Sequence, residues 1–136
     1  MVSEQAPFVQ SETVDIEPVL ILDTSAQIVR VNQAGAVTAA RYAPVATITG
    51  AASPASRTVS IVNRGQSGAG STVVATLAFT AGVNAAAFDE KDFTLSAVAN
   101  ATTVAAGDVL EVRSAPVGGT GLVDPGGTVT IEIGRG

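Results

Sequence analysis

Cysteine, histidine and tryptophan are all absent from this 136-residue chain. Without cysteine there can be no disulfide, zinc-thiolate site, iron-sulfur cluster or thiol nucleophile. Without histidine there is no imidazole metal ligand, no triad or dyad built on an imidazole base, and no proton shuttle of the usual neutral-pH kind. Catalysis would fall to carboxylates, Tyr42, Lys91 or the serines, so the chain reads as a non-enzyme with no cofactor and no metal. Aromatic residues are scarce as well, with four Phe and one Tyr, and the 46% apolar fraction is mostly Ala and Val. Such a composition predicts a thin, lightly aromatic core, which suits a sandwich better than a deep pocket.

Positive charge is missing from the first 23 residues. Glu4, Glu12, Asp15, Glu17 and Asp23 stand there without a Lys or Arg, so the whole net charge of −5 sits in that segment and the remainder is balanced. The seven basic residues, six of them Arg, are scattered. Phosphate binding needs a concentrated basic surface, so nucleic acid is not expected as a partner. Nor is a membrane: the apolar run at residues 19–22 is far too short to span a bilayer, and no charged-then-apolar leader opens the sequence.

The length suits a single domain. Residues 1–17 are acidic, lack a sustained period and run into Pro18; they are expected to form an extended arm, either a frayed terminus or, as the apolar Phe8, Val9, Val14 and Ile16 favour, one that docks on a partner through Phe8, Val9, Glu12, Val14, Asp15 and Ile16. Removing them should weaken docking and leave core stability nearly unchanged. Residues 18–136 are expected to form one β-sandwich, with a leading hairpin in residues 18–43 and the main body in 44–136. The hairpin would pair residues 19–22 with 28–31 around Asp23-Thr24-Ser25-Ala26, and residues 36–42 could form a helical turn. Beyond Pro44, strands are expected at 45–49, 57–63, 71–80, 87–95, 102–104, 109–115 and 128–133, the regular spacing of a sandwich or barrel. Val59 and Ile61 should face inward, as should Val73, Ala75, Leu77 and Phe79.

Candidate chemical motifs each have a simpler structural explanation. The glycine-rich run Arg64-Gly65-Gln66-Ser67-Gly68-Ala69-Gly70 leads into a strand pattern where a phosphate loop needs a helix, so it reads as a hairpin loop. Asp89-Glu90-Lys91-Asp92 lacks the spacing of a calcium loop and reads as a solvated turn between Phe88 and Phe93. Single carboxylates at Asp108 and Asp124 are too few for calcium. Glu111 and Glu132 would serve glycoside hydrolysis only across a shared cleft; on the polar faces of their strands, with Arg113 two residues from Glu111, they read as surface charge pairs. Tyr42 and the phenylalanines could stack on sugars or bases, but Phe79, Phe88 and Phe93 lie where a core needs bulk.

Residues 102–133 combine short β-rich runs with a turn at Ala105-Ala106-Gly107-Asp108, where Gly107 can supply positive φ, and a long Gly-Pro loop over 117–127. The succession RTVSIVNRG, STVVATLAF, AAFDEKDFTLS and then VAAGDVL and GTGLVDPGGTVTIEI resembles the head decoration, or capsid cement, proteins of tailed bacteriophages, actinobacteriophages in particular. The resemblance covers residues 57–133 and excludes the acidic arm. It implies an all-β fold, a small antiparallel, jelly-roll-like β-sandwich, to which the residues of the N-terminal segment add an extended arm. It also implies a structural role on the outer surface of the virion: binding the major capsid protein, cementing neighbouring subunits, and associating with itself as a trimer, or alternatively a dimer. In that setting Gly119, Thr120, Leu122 and Asp124 are candidate contacts to capsid or to a sister protomer. The alternative reading is a carbohydrate-binding or adhesin-type sandwich with Tyr42 as its stacking residue.

Overall fold

The computed structural model describes residues 9–118 and 120–134, and every described element is β. Twelve strands follow in order: β1 (Val9–Ile16), β2 (Ser25–Arg30), β3 (Gly35–Pro44), β4 (Ile48–Thr49), β5 (Arg57–Asn63), β6 (Thr72–Phe79), β7 (Asn84–Ala85), β8 (Lys91–Asp92), β9 (Thr94–Leu95), β10 (Thr103–Val104), β11 (Val109–Pro116) and β12 (Gly127–Gly134). One antiparallel sheet runs β1-β12-β3-β10, with β8 also on β3; a second runs β2-β11-β5-β6-β9; β4 and β7 form a separate pair. Setting aside the two-residue β4, β7, β8 and β9 and keeping β10, equally short but paired with β3 in the first sheet, the eight strands pair first-eighth-third-sixth and second-seventh-fourth-fifth. That is the strand order of a jelly roll. The fold class expected from the sequence is therefore what the chain adopts.

Alternation builds the core. β12 turns Val129, Ile131 and Ile133 inward, β11 turns Leu110 and Val112, and β5 turns Val59 and Ile61, all essentially without solvent exposure. Tyr42 and Phe79 meet edge to face between the layers, centroids 6.3 Å apart, which gives most of the aromatic bulk. Gly107 does take positive φ in the turn before β11.

Several local expectations change. Residues 36–42 are not a helical turn but the middle of β3, because Val37, Ala40 and Tyr42 have a sheet partner, β12, along almost their whole length. The leading hairpin does not form: β2 pairs with β11, and of residues 19–22 only Val19 bridges, to Asp124. In β6 the partners jump from Ile61↔Ala75 to Val62↔Val73, leaving Val74 as an extra residue. This bulge buries Val74 and Ala75 together and turns Val73 outward, reversing the face expected for Val73. Residues 87–95 form no continuous strand. Phe93 marks a switch from β8 in one sheet to β9 in the other; it is buried, and its N–H bonds the Ala40 carbonyl at 2.8 Å. Phe88 is outside the core altogether.

The acidic N-terminal segment is, from Val9 onward, part of the sandwich. β1 pairs with β12 residue for residue from Val9↔Gly134 to Ile16↔Gly127, and Val14 and Ile16 are buried in the core. The Gln10 side chain fastens it further, accepting from the Asn32 N–H at 3.0 Å and donating to the Arg30 carbonyl at 3.3 Å. Phe8 lies outside the described residues.

Candidate functional site

The most chemically loaded cluster is buried at one end of the sandwich. Arg57 opens β5 with the parity of Val59 and Ile61, so its side chain must point between the sheets, where it is only 1% exposed. Its guanidinium is satisfied by backbone. Nε donates to the Leu122 carbonyl at 2.6 Å, Nη2 to Leu20 at 2.6 Å and Ile21 at 3.1 Å, and Nη1 to Asp23 at 3.1 Å. A longer contact of 3.4 Å reaches the Ser114 hydroxyl. Five donors in a rigid fork are what such a set of carbonyls requires, and lysine could not supply them.

Asp124, fully buried, supplies the opposite charge. It accepts hydrogen bonds from the Tyr42 hydroxyl, from Ser114 at 2.6 Å and from the Gly126 N–H at 3.0 Å. Val19 and Asp124 exchange backbone bonds at 2.7 and 2.9 Å. Gly126 is required next to it: φ is +91°, and a Cβ would stand 2.9 Å from the Ile16 carbonyl oxygen. Burial pushes the Arg57 guanidinium below its ordinary value while Asp124 pulls it up, and burial together with Asp124 drives the Tyr42 phenol far above its ordinary range. These groups are locked against one another and shut off from solvent. Their work is to fix two loops, 17–24 and 117–126, onto the ends of both sheets.

What the clamp displays is apolar. With the Leu20, Ile21 and Asp23 carbonyls held inward, Leu20 and Leu22 turn their side chains to solvent at 69% and 62% exposure, joined by exposed Ile21 and Val123. Together with Asp23 they line a shallow groove of about 400 Å³. Exposed aliphatic residues are thus grouped on one fixed turn.

Most of the expected site residues lie elsewhere or do something else. Val14 and Ile16 are core, Glu12 is half-buried and receives a hydrogen bond from Gln10 at 3.0 Å, and Asp15 is exposed beside Thr128. No side-chain position is described for Val9, and Phe8 and Gly119 fall outside the described residues. Thr120 is exposed, whereas Leu122 packs against the core and Asp124 is interior, so Asp124 is no surface contact. Tyr42 is buried too and offers no face for a sugar to stack on.

The carboxylates stay apart. Glu111, on β11, pairs with Arg64 at 2.7 Å and not with Arg113, which is exposed; Glu132, on β12 in the other sheet, pairs with Arg41. Asp108 caps its turn: burial pushes its carboxyl up, but hydrogen bonds from the Ala105 N–H at 2.9 Å and from Asn63 at 3.0 Å prevail and hold it below its ordinary value. The glycine-rich run at 64–70 is the hairpin loop between β5 and β6, closed by the Gly70 N–H on the Arg64 carbonyl.

No protein-family model matches the chain, and no curated protein matches it. Among solved structures it is similar to a chain of desmodium yellow mottle tymovirus, at 12% identity over 99% of this chain and 91% of that one, with a TM-score of 0.35. A likeness that loose carries no argument about function.

Proposed function

We propose that this protein is a structural capsid decoration protein, binding the outer surface of a phage head and cementing neighbouring major capsid subunits without any chemical step. The observation that carries the reading is the aliphatic turn Leu20-Ile21-Leu22, exposed on the outside yet anchored from within by Arg57. A protein with no use for that turn would gain by making it polar; one that docks gains from having it ordered beforehand, since little conformational entropy is then lost on binding. The resemblance of residues 57–133 to head decoration proteins supports the same reading, and jelly rolls are common among capsid proteins, though a shared fold is only analogy.

Repetition does the rest. On a symmetric lattice, many copies, as trimers in this proposal, turn modest single contacts into firm retention through effective concentration, so no deep pocket is required. The test is direct: purified protein is added to undecorated expanded heads and occupancy per major capsid subunit is measured. Saturable binding at a fixed stoichiometry is expected; no saturable binding would remove the proposal.

A further inference from the structure

The aliphatic turn does not stand alone at its end of the sandwich. Backbone hydrogen bonds run from it across the same end: Val19 to Asp124, the Val45 N–H to the Gly126 carbonyl at 2.9 Å, and the Phe88 N–H to the Pro44 carbonyl at 2.8 Å. Along that path the exposed large apolar side chains are Leu20, Ile21, Leu22, Val123, Val45 and Phe88. Phe88 is the most telling. It is 80% exposed and held at φ +60°, a left-handed conformation that a bulky residue rarely adopts. The ring stands in water on a turn closed by the Asp89 N–H on the Ala86 carbonyl at 3.2 Å.

Among the described residues, the exposed charges at this end of the sandwich are acidic. Glu17, Asp23, Asp89 and Glu90 are all exposed at this end. Of the cations there, Arg57 is consumed by the buried cluster and Lys91 is half-buried in β8. Arg30 and Arg64 stand at the opposite end, Arg41 is paired with Glu132 and Asp92, and Arg113 lies on the outer face of β11.

We infer that this end of the jelly roll is a single docking face, with Leu20, Leu22 and Phe88 as anchors inside an acidic rim, and that its partner is a protein surface with apolar recesses bordered by Lys and Arg. Charge complementarity sets the choice. A second copy joined through the same face would press acidic rim against acidic rim, and like charges meeting at an interface oppose association. On the capsid reading, on which this identification of the partner rests, the basic-rimmed surface belongs to the major capsid protein, and the end bearing Arg30 and Arg64 points away from the head.

Three full-length variants test it on undecorated heads: Phe88→Ala, the pair Asp89→Lys with Glu90→Lys, and Arg113→Ala as an off-face control. Phe88→Ala and the charge reversal should each weaken binding by about tenfold or more, as loss of an anchor or of a complementary rim does. Raising salt from about 50 to about 500 mM should weaken the wild type and leave the reversed pair less affected. Arg113→Ala should bind as wild type does. Unchanged affinity in the first two variants, while wild type still binds, overturns the docking face and spares the capsid role. So does solution self-association that Phe88→Ala abolishes. A second measurement needs no heads: NMR titration with an amphipathic lysine-leucine peptide should shift the amides of residues 20–23 and 88–90. Shifts confined elsewhere overturn the face; shifts there, with heads unbound, leave the face standing and remove the capsid role.

Discussion

Burying a guanidinium costs several kcal/mol unless its donors and charge are met, and Arg57 meets both conditions with four loop carbonyls and Asp124 nearby. Replacing it by methionine keeps the bulk but leaves those carbonyls unpaired and Asp124 a lone buried charge. The loss should be about 3–5 kcal/mol in denaturant unfolding. Tyr42 gives a second test because it is the sole tyrosine in a chain without tryptophan. Its folded-state pKa lies above the ordinary 10.0, so the neutral phenol contributes stability that is complete below about pH 10 and is lost as pH rises further. Tyrosinate absorbance near 295 nm should therefore rise together with loss of β circular dichroism; tyrosinate forming in a still-folded protein would contradict the buried hydrogen bond to Asp124. Arg57 was legible in principle, since it shares parity with Val59 and Ile61, and Ser114 shares parity with Leu110 and Val112. Asp124 was not, because a loop carboxylate carries no period to say which way it points.

Among the elements, β6 and β1 show where pattern succeeds and where it stops. The strand itself was evident from STVVATLAF, yet the same letters fit two registers, and only pairing with β5 places the bulge at Val74. Val74→Ala should cost on the order of 2 kcal/mol and Val73→Thr within about 0.5 kcal/mol; the reverse ranking in thermal or urea unfolding would mean the bulge is misplaced. β1 lacks a visible period because Ser11, Thr13 and Asp15 alternate with only two strong core residues, Val14 and Ile16, and a buried Gln10. An arm separable from the core gives way to a structural strand. Deleting residues 1–16 should lower the melting temperature sharply, as loss of a whole strand and its core side chains does; an unchanged melting temperature would restore the arm. The strands over 57–63, 109–115 and 128–133 were legible almost to the residue because their faces alternate along most of their length, with Val62 at the β5 irregularity the exception. Residues 36–42, rich in alanine, gave no such contrast.

At the scale of the whole molecule, the jelly roll separates two tasks. Its interior holds the sheets together with small aliphatic residues, and one end commits a buried Arg-Asp cluster to displaying apolar side chains outward. Sequence reading pointed to the N-terminal segment and the 119–124 loop; a strained Phe88 and an exposed Leu20-Ile21-Leu22 do not announce themselves in a string where apolar letters usually mean core. The most direct measurement is occupancy of undecorated heads by the wild type and by a Leu20→Ser, Leu22→Ser double variant of equal thermal stability. The account predicts saturable wild-type binding and a variant at least about tenfold weaker. Equal occupancy by both, or none by the wild type, would contradict it.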